Sequence, residues 1–309
     1  MSFVRQTIFP ILAAFLWGTT FVAQSVGAEH LGCFGYNMAR SFVAVIFLGT
    51  VIFGMTMWKK SKGKSLPHMQ YASSQKEYNK VLLNSGFICG TCLTVAANLQ
   101  QAGIAASTAG KASFITALYV VLVPIFGIVL KKKAPGNVWL AVVIAAIGLY
   151  FICIKPGEFS IEFGDFLLLL CAISYAVQIL VIDHYSNKVD GIQLSCTQFF
   201  FVAVESLIIS LIFENNAIND YIVALYPILY AGILSSGIAY TLQILSQKGS
   251  NPTVVTVLMS LESVFGVVSS AIVLHERMIT REYLGCVLMF VAVLLAQIPV
   301  ASLINKKKA

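Results

Sequence analysis

The chain has 309 residues, 58% of them hydrophobic and only 11% charged, with a formal net charge of +7. A mean hydropathy of +0.86 excludes a water-soluble domain, whose surface needs far more polar side chain than this composition supplies. The basic residues sit in short loops and tails, so the positive balance reads as a membrane-topology signal and not as a nucleic-acid footprint.

A bilayer core of ~30 Å needs about 20 apolar residues per helix. Ten segments of that kind follow one another: 6–26, 33–57, 79–102, 107–130, 136–154, 162–183, 191–213, 222–248, 252–274 and 281–300. The alternating pattern of a barrel strand is missing, and helices satisfy their own backbone in lipid, so the fold class is all-α and polytopic. The first span has the outline of a signal peptide, with Arg5 ahead of it and Val26-Gly27-Ala28 at its end. Its apolar stretch is too long for an h-region, and Gln24 interrupts it, so it is expected to stay as a helix. Gly86 and Gly90 form a GxxxG that permits close helix approach. Pro124 is expected to kink the fourth span, and Asn251-Pro252 to start the ninth.

Connections are short except for the Lys-rich stretch 58–78. With a cytoplasmic N-terminus, fifteen Lys and Arg fall on that side, among them Lys59, Lys60, Lys62, Lys131, Lys132, Lys133 and the tail Lys306, Lys307 and Lys308. Only Lys155, Arg277 and Arg281 fall on the other. Both termini are therefore expected in the cytoplasm, which requires an even number of spans. The seven cysteines lie almost wholly inside spans and show no disulfide framework. Cys89 and Cys92 form a lone CxxC without a nearby His, which argues against zinc.

The second five spans repeat the first five. Phe21-Val22-Ala23-Gln24 aligns with Tyr175-Ala176-Val177-Gln178, and Glu29-His30 with Asp183-His184. Ala96 with Leu99-Gln100 matches Ala239 with Leu242-Gln243, and Leu130 and Trp139 match Leu274 and Tyr283. Five is odd, so two such halves, 1–157 and 158–309, must insert with opposite orientation. Inverted repeats of this kind are how many secondary transporters build a midplane site.

These residues resemble the drug/metabolite transporter superfamily and its EamA-type ten-helix permeases. The resemblance rests on Leu16-Trp17-Gly18 with Phe21 and Gln24, on Arg40, and on Phe114-Ile115-Thr116 through Leu122-Val123-Pro124 and Gly148-Leu149-Tyr150. It continues through Gly164-Asp165, Tyr240-Thr241-Leu242-Gln243, Leu261-Glu262-Ser263-Val264-Phe265, Leu274-His275-Glu276 and Gly285. One departure is Ser263, where many relatives carry proline. The resemblance implies a multi-pass carrier of small metabolites, often amino acids, exporting across a plasma or bacterial inner membrane.

Ionisable residues inside a span are functional candidates. Glu262 lies about ten residues into its span, ~15 Å deep at 1.5 Å per residue, where it could hold a substrate amine or exchange a proton as coupling ion. Arg40 could hold a substrate carboxylate through its two-pronged fork. Lys111 and Glu205 are candidates for a charge pair. Gln24, Asn98, Gln100, Gln178, Gln198 and Gln243 supply amides, and Trp17, Phe21, Tyr119, Tyr175 and Tyr240 an aromatic wall. Together they are the expected substrate-binding set. No cofactor is expected, and the GxxxxGK[ST] loop of an ATP-driven pump is missing. The competing readings are efflux of cationic, drug-like compounds with Glu262 as counter-ion, and a membrane enzyme or assembly factor. An enzyme is disfavoured because His30, His68, His184 and His275 all lie in loops or at helix ends.

Overall fold

The computed structural model describes residues 3–64, 68–107, 109–131, 134–154, 162–273 and 279–298. The described residues form helices and their connections, with no strand among them. We number the long helices α1 (Phe9–Ala28), α2 (Cys33–Ser61), α3 (Gln75–Ala105), α4 (Ala109–Ala117 and Tyr119–Val129) and α5 (Gly136–Cys153). Then come α6 (Phe163–Tyr185), α7 (Gly191–Phe213), α8 (Leu225–Tyr230, Ala231–Ala239 and Tyr240–Gln247), α9 (Pro252–Met259 and Glu262–Val273) and α10 (Thr280–Gln297). Nine segments among the described residues are long and apolar enough to cross a bilayer. To these α1 adds a helix of 20 residues without a charged side chain. The protein is an all-α polytopic membrane protein.

Burial runs opposite to that of a soluble domain. Phe53, Val129 and Leu211 are 69%, 80% and 76% exposed, whereas Arg40, Gln178 and Gln198 are buried. Apolar side chains face the hydrocarbon, and polar ones are held inside the bundle.

Two pairs of equal rank in the two halves of the sequence run antiparallel. α2 lies against α7 and α5 against α10. Asn137, near the start of α5, donates to the Leu295 carbonyl near the end of α10 at 2.8 Å. Farther along, Gly148 meets Gly285, where an added Cβ would lie 3.0 Å from the Gly285 carbonyl. The other contacts are exchanged between halves: α1 packs on α9 and α6 on α4, and α3 packs on α6 and α8 on α1.

One end of the bundle gathers both ends of the described chain, through Gln6 to the Gly249 carbonyl (3.4 Å) and Thr7 to Gln297 (3.4 Å). Tyr78 to Gln193 (2.5 Å) lies at this end too, which we call the terminal end. At the distal end Glu214, in the turn after α7, caps α2. It accepts from the amides of Phe34 (2.9 Å) and Gly35 (2.7 Å), donors that an α-helix leaves without intrahelical partners. The GxxxG expectation on α3 resolves into a crossing with α7, with Gly86 against Thr197 and Gly90 against the Gln198 carbonyl and Phe201. Asn251 caps α9 as expected, accepting from the Thr253 amide at 2.9 Å.

Pro124 is not where α4 breaks. Pro124 lies within the continuous helix Tyr119–Val129, and α4 breaks six residues earlier, at Leu118. There the backbone tightens, with Leu118 bonded to the Ile115 carbonyl and Val121 to that of Leu118. A proline withholds its own amide, here from the Val120 carbonyl, and its ring crowds that carbonyl, but helical structure runs on through Val129. α9 breaks in the same way at Ser260 and Leu261, although Ser263 replaces the proline of many relatives. Ser260 instead donates to the Val257 carbonyl at 2.8 Å, a local bond that competes with the helix ladder. The alignment that sets Leu130 on Leu274 sets Leu118 on Glu262, so the two breaks are repeat-equivalent.

Candidate functional site

A cavity lies where the two broken helices meet α1 and α8. From α1 come Trp17, Phe21 and Gln24, spaced four and three residues apart and therefore on one helical face. α2 contributes Arg40, α3 Gln100, α4 Thr116 and Tyr119, and α6 Tyr175 and Ile179. α8 contributes Ser235, Tyr240 and Gln243, and α9 Met259 and Glu262.

Arg40 sits two turns into α2 and is 2% exposed. The Tyr36 ring, one turn earlier, lies 5.9 Å from its guanidinium carbon. The Arg40 backbone is pressed against α8 at Gly232, where a Cβ would stand 2.8 Å from the Arg40 carbonyl. That close approach occurs in Ala231–Ala239, a stretch bonded i to i+5 as a π-helix. Such wide turns are rare and gather at functional sites, and this one places Ser235 in the cavity wall.

Glu262 opens the second half of α9 directly after the break and is 6% exposed. Tyr119, the first residue after the break in α4, donates its hydroxyl to Glu262 Oε1 at 3.1 Å. The two helix breaks are thus joined through the cavity. α1 closes over the Glu262 backbone at Gly18, where a Cβ would lie 2.7 Å from the Glu262 carbonyl. Among the described residues, neither Arg40 nor Glu262 is in an ion pair with the protein. A buried charge without a protein counter-ion is costly, and the cavity holds one of each sign.

A chain of hydroxyls crosses the cavity wall. Tyr240 donates to the Tyr175 hydroxyl at 3.2 Å, and Tyr175 donates to Gln100 Oε1 at 3.0 Å. The Tyr240 ring stands edge-on to Trp17 (4.9 Å) and to Phe199 (5.3 Å), forming an aromatic floor. With these tyrosine hydroxyls committed to protein acceptors, the open valences facing a ligand are few. Trp17 Nε1 and Arg40 Nε lack an acceptor, and Gln243 Oε1 lacks a donor.

Ten of the thirteen residues expected to bind substrate line this one cavity. Asn98, Gln178 and Gln198 do not. Asn98 instead joins three helices, accepting from Asn37 (2.9 Å) and donating to the Thr94 carbonyl (2.8 Å) and Ser206 (3.2 Å). Gln178 and Gln198 are buried on the terminal side without protein partners for either amide atom. The side chain of Lys111 lies outside the described residues, and Glu205 accepts from Thr91 at 2.6 Å. Sequence reasoning missed Thr116, Ile179, Ser235 and Met259. Ile179 and Met259 look like ordinary core, and Thr116 carried a signal only as part of Phe114-Ile115-Thr116.

Known proteins agree with this architecture. The profile of the EamA-like transporter family matches twice, over residues 6–154 and 162–297. The chain belongs to the EamA-like transporter family. An uncharacterized transporter of Archaeoglobus fulgidus is 26% identical over 290 residues, covering 94% of this chain and 84% of its own. The uncharacterized transporter YoaV of Bacillus subtilis is 24% identical over 293 residues, covering 90% and 91%. A solved structure, described only as a protein crystal structure, shares the fold with a TM-score of 0.72 at 14% identity, covering 94% of this chain and 96% of its own.

Proposed function

We propose that this membrane transporter is a secondary carrier, exporting amino acids or related zwitterionic metabolites by alternating access between two inverted five-helix halves. The observation that carries this reading is the pair of opposite, unpaired charges in one cavity. A zwitterion would place its carboxylate on the Arg40 fork and its ammonium on Glu262, satisfying both charges at once. Either single-charged ligand leaves one of them buried without a counter-ion. The aromatic wall of Trp17, Phe21 and Tyr240 would cover the apolar part of such a ligand. In this reading the ten helices place both termini in the cytoplasm of a cell membrane, and Glu262 carries the coupling proton when no ammonium is bound.

Uptake and counterflow in proteoliposomes test the proposal, with the common amino acids, their decarboxylated amines and their N-acetyl derivatives as ligands. The reading expects transport of at least one amino acid in preference to its amine and to its N-acetyl form. Transport of the amines alone would replace it with efflux of organic cations, a reading that Arg40 at the cavity wall disfavours.

A further inference from the structure

Three glutamines outside the cavity have no protein partner for either atom of their amides: Gln178 on α6, Gln198 on α7 and Gln247 on α8. All three are fully buried. An amide left so in apolar surroundings is expensive, and native proteins rarely keep one without a use. All three lie on the terminal side. Gln178 is seven residues, ~10 Å, from the terminal end of α6; Gln198 is seven from that of α7; and Gln247 closes α8.

Their helical faces lead out of the cavity. On α6, Gln178 follows Tyr175 by three residues, and on α8, Gln247 follows Gln243 by four, so each shares a face with a residue of the cavity wall. The repeat supplies the second argument. Gln178 aligns with Gln24, and Gln198 takes the place in α7 that Arg40 takes in α2. Gln24 and Arg40 line the cavity on the distal side, and their mates are shut away on the terminal side.

We infer that the ligand path continues past Tyr240 between α6, α7 and α8 to the terminal end, and that Gln178, Gln198 and Gln247 form its closed polar wall. It is a second, transit binding surface for a small polar ligand, built of neutral amides where the cavity has a cation. When the halves exchange conformations, Gln178 and Gln198 take the places that Gln24 and Arg40 hold here. The amides then meet water or ligand, which accounts for their lack of protein partners in this state. The inference rests on the carrier reading above, but its test needs no identified substrate.

The experiment is thiol labelling of Gln178→Cys and Gln198→Cys in proteoliposomes, with a membrane-impermeant methanethiosulfonate applied at the terminal side. Label is counted above that of the parent protein, with Ala172→Cys as a core control. Several-fold more label than the control is expected, accumulating as the closed wall opens. Label no higher than the control overturns the inference, whatever Arg40 and Glu262 variants do to transport. If the cysteine variants do not fold, melting temperatures of Gln178→Met and Gln198→Met decide. A rise is expected, because an amide without partners has been removed, whereas a fall shows that the amides are bonded within the fold and overturns the inference. Labelling as expected, together with transport indifferent to Arg40→Ala and Glu262→Gln, would remove the zwitterion reading and leave the path standing.

Discussion

The breaks in α4 and α9 are the same backbone event in two chemical versions. Both helices interrupt at repeat-equivalent positions, and both interruptions border the cavity. The mate of Glu262, which opens the helix after the second break, is the uncharged Leu118 at the first. The reverse holds one helix pair away, where α2 carries Arg40 and α7 carries Gln198. Backbone geometry is thus duplicated while charge is segregated, one sign to each half. A ligand bound across the two charges, as proposed, would also bridge the two halves and so link occupancy to their relative movement. A fully symmetric site would lack that link, because either half alone could satisfy the ligand.

The comparison breaks most sharply at Glu262. Glu262→Gln removes the charge while keeping the carboxylate's shape, and an amino acid should bind ten- to a hundredfold more weakly, the equivalent of about 1.5–3 kcal/mol for a charge-assisted bond. Binding to the purified variant measures this, and unchanged affinity would show that the second half's carboxylate is idle. A smaller effect is expected at the α1–α9 contact, where Gly18 meets backbone atoms that cannot turn aside. Gly18→Ala should destabilise the protein by about 1–3 kcal/mol, seen as a lower melting temperature in nanodiscs. Its repeat mate Ala172 already carries a Cβ and is buried on α6, so Ala172→Gly should cost only about 0.5–1 kcal/mol. A melting temperature that drops equally for both would show that the two crossings are alike.

The distal cap on α2 comes next. Glu214→Gln keeps one acceptor oxygen for the amides of Phe34 and Gly35 but loses the charge that favours a helix N-terminus, so a loss of about 0.3–1 kcal/mol is expected. α7 is capped by its own Asp190, through the Ile192 and Gln193 amides at 3.1 Å, and is expected to keep its protection in hydrogen exchange when Glu214 is changed. A modest effect on binding belongs to the bond joining the breaks. Tyr119→Phe removes the hydroxyl that Glu262 accepts from, and ligand affinity should fall several-fold, within about 0.5–1.5 kcal/mol. Ser263→Ala, at the mate of Tyr119, removes the 3.0 Å contact with Ser113 and a bond with the Cys153 thiol, and should leave affinity unchanged.

Helix placement was readable in the sequence because lipid forces long apolar runs, and the run 191–213 and the observed Gly191–Phe213 coincide. Glu262 and Arg40 were readable for the complementary reason that charge inside such a run is costly. The direction in which each side chain points was not readable. Asn98 and Gln100 differ by two residues and so by more than half a turn, which sends Asn98 to the α2–α7 junction and Gln100 to the cavity. Gln24 and Gln178 align in sequence, yet Gln24 lines the cavity and Gln178 does not. The break at Leu118 has no proline or glycine to announce it, and the wide turn Ala231–Ala239 shows in the sequence only as a run of small residues.

The central claim is that Arg40 reads a carboxylate and Glu262 an ammonium on one ligand. The most direct measurement compares binding of an amino acid, its decarboxylated amine and its N-acetyl form to the parent protein, Arg40→Ala and Glu262→Gln. Arg40→Ala should lose the preference for the amino acid over the amine, while keeping the preference over the N-acetyl form. Glu262→Gln should do the opposite, and Arg40→Lys should recover part of the first preference, since ammonium is a point donor without the fork. Equal weakening of all three ligands by either substitution would contradict the account.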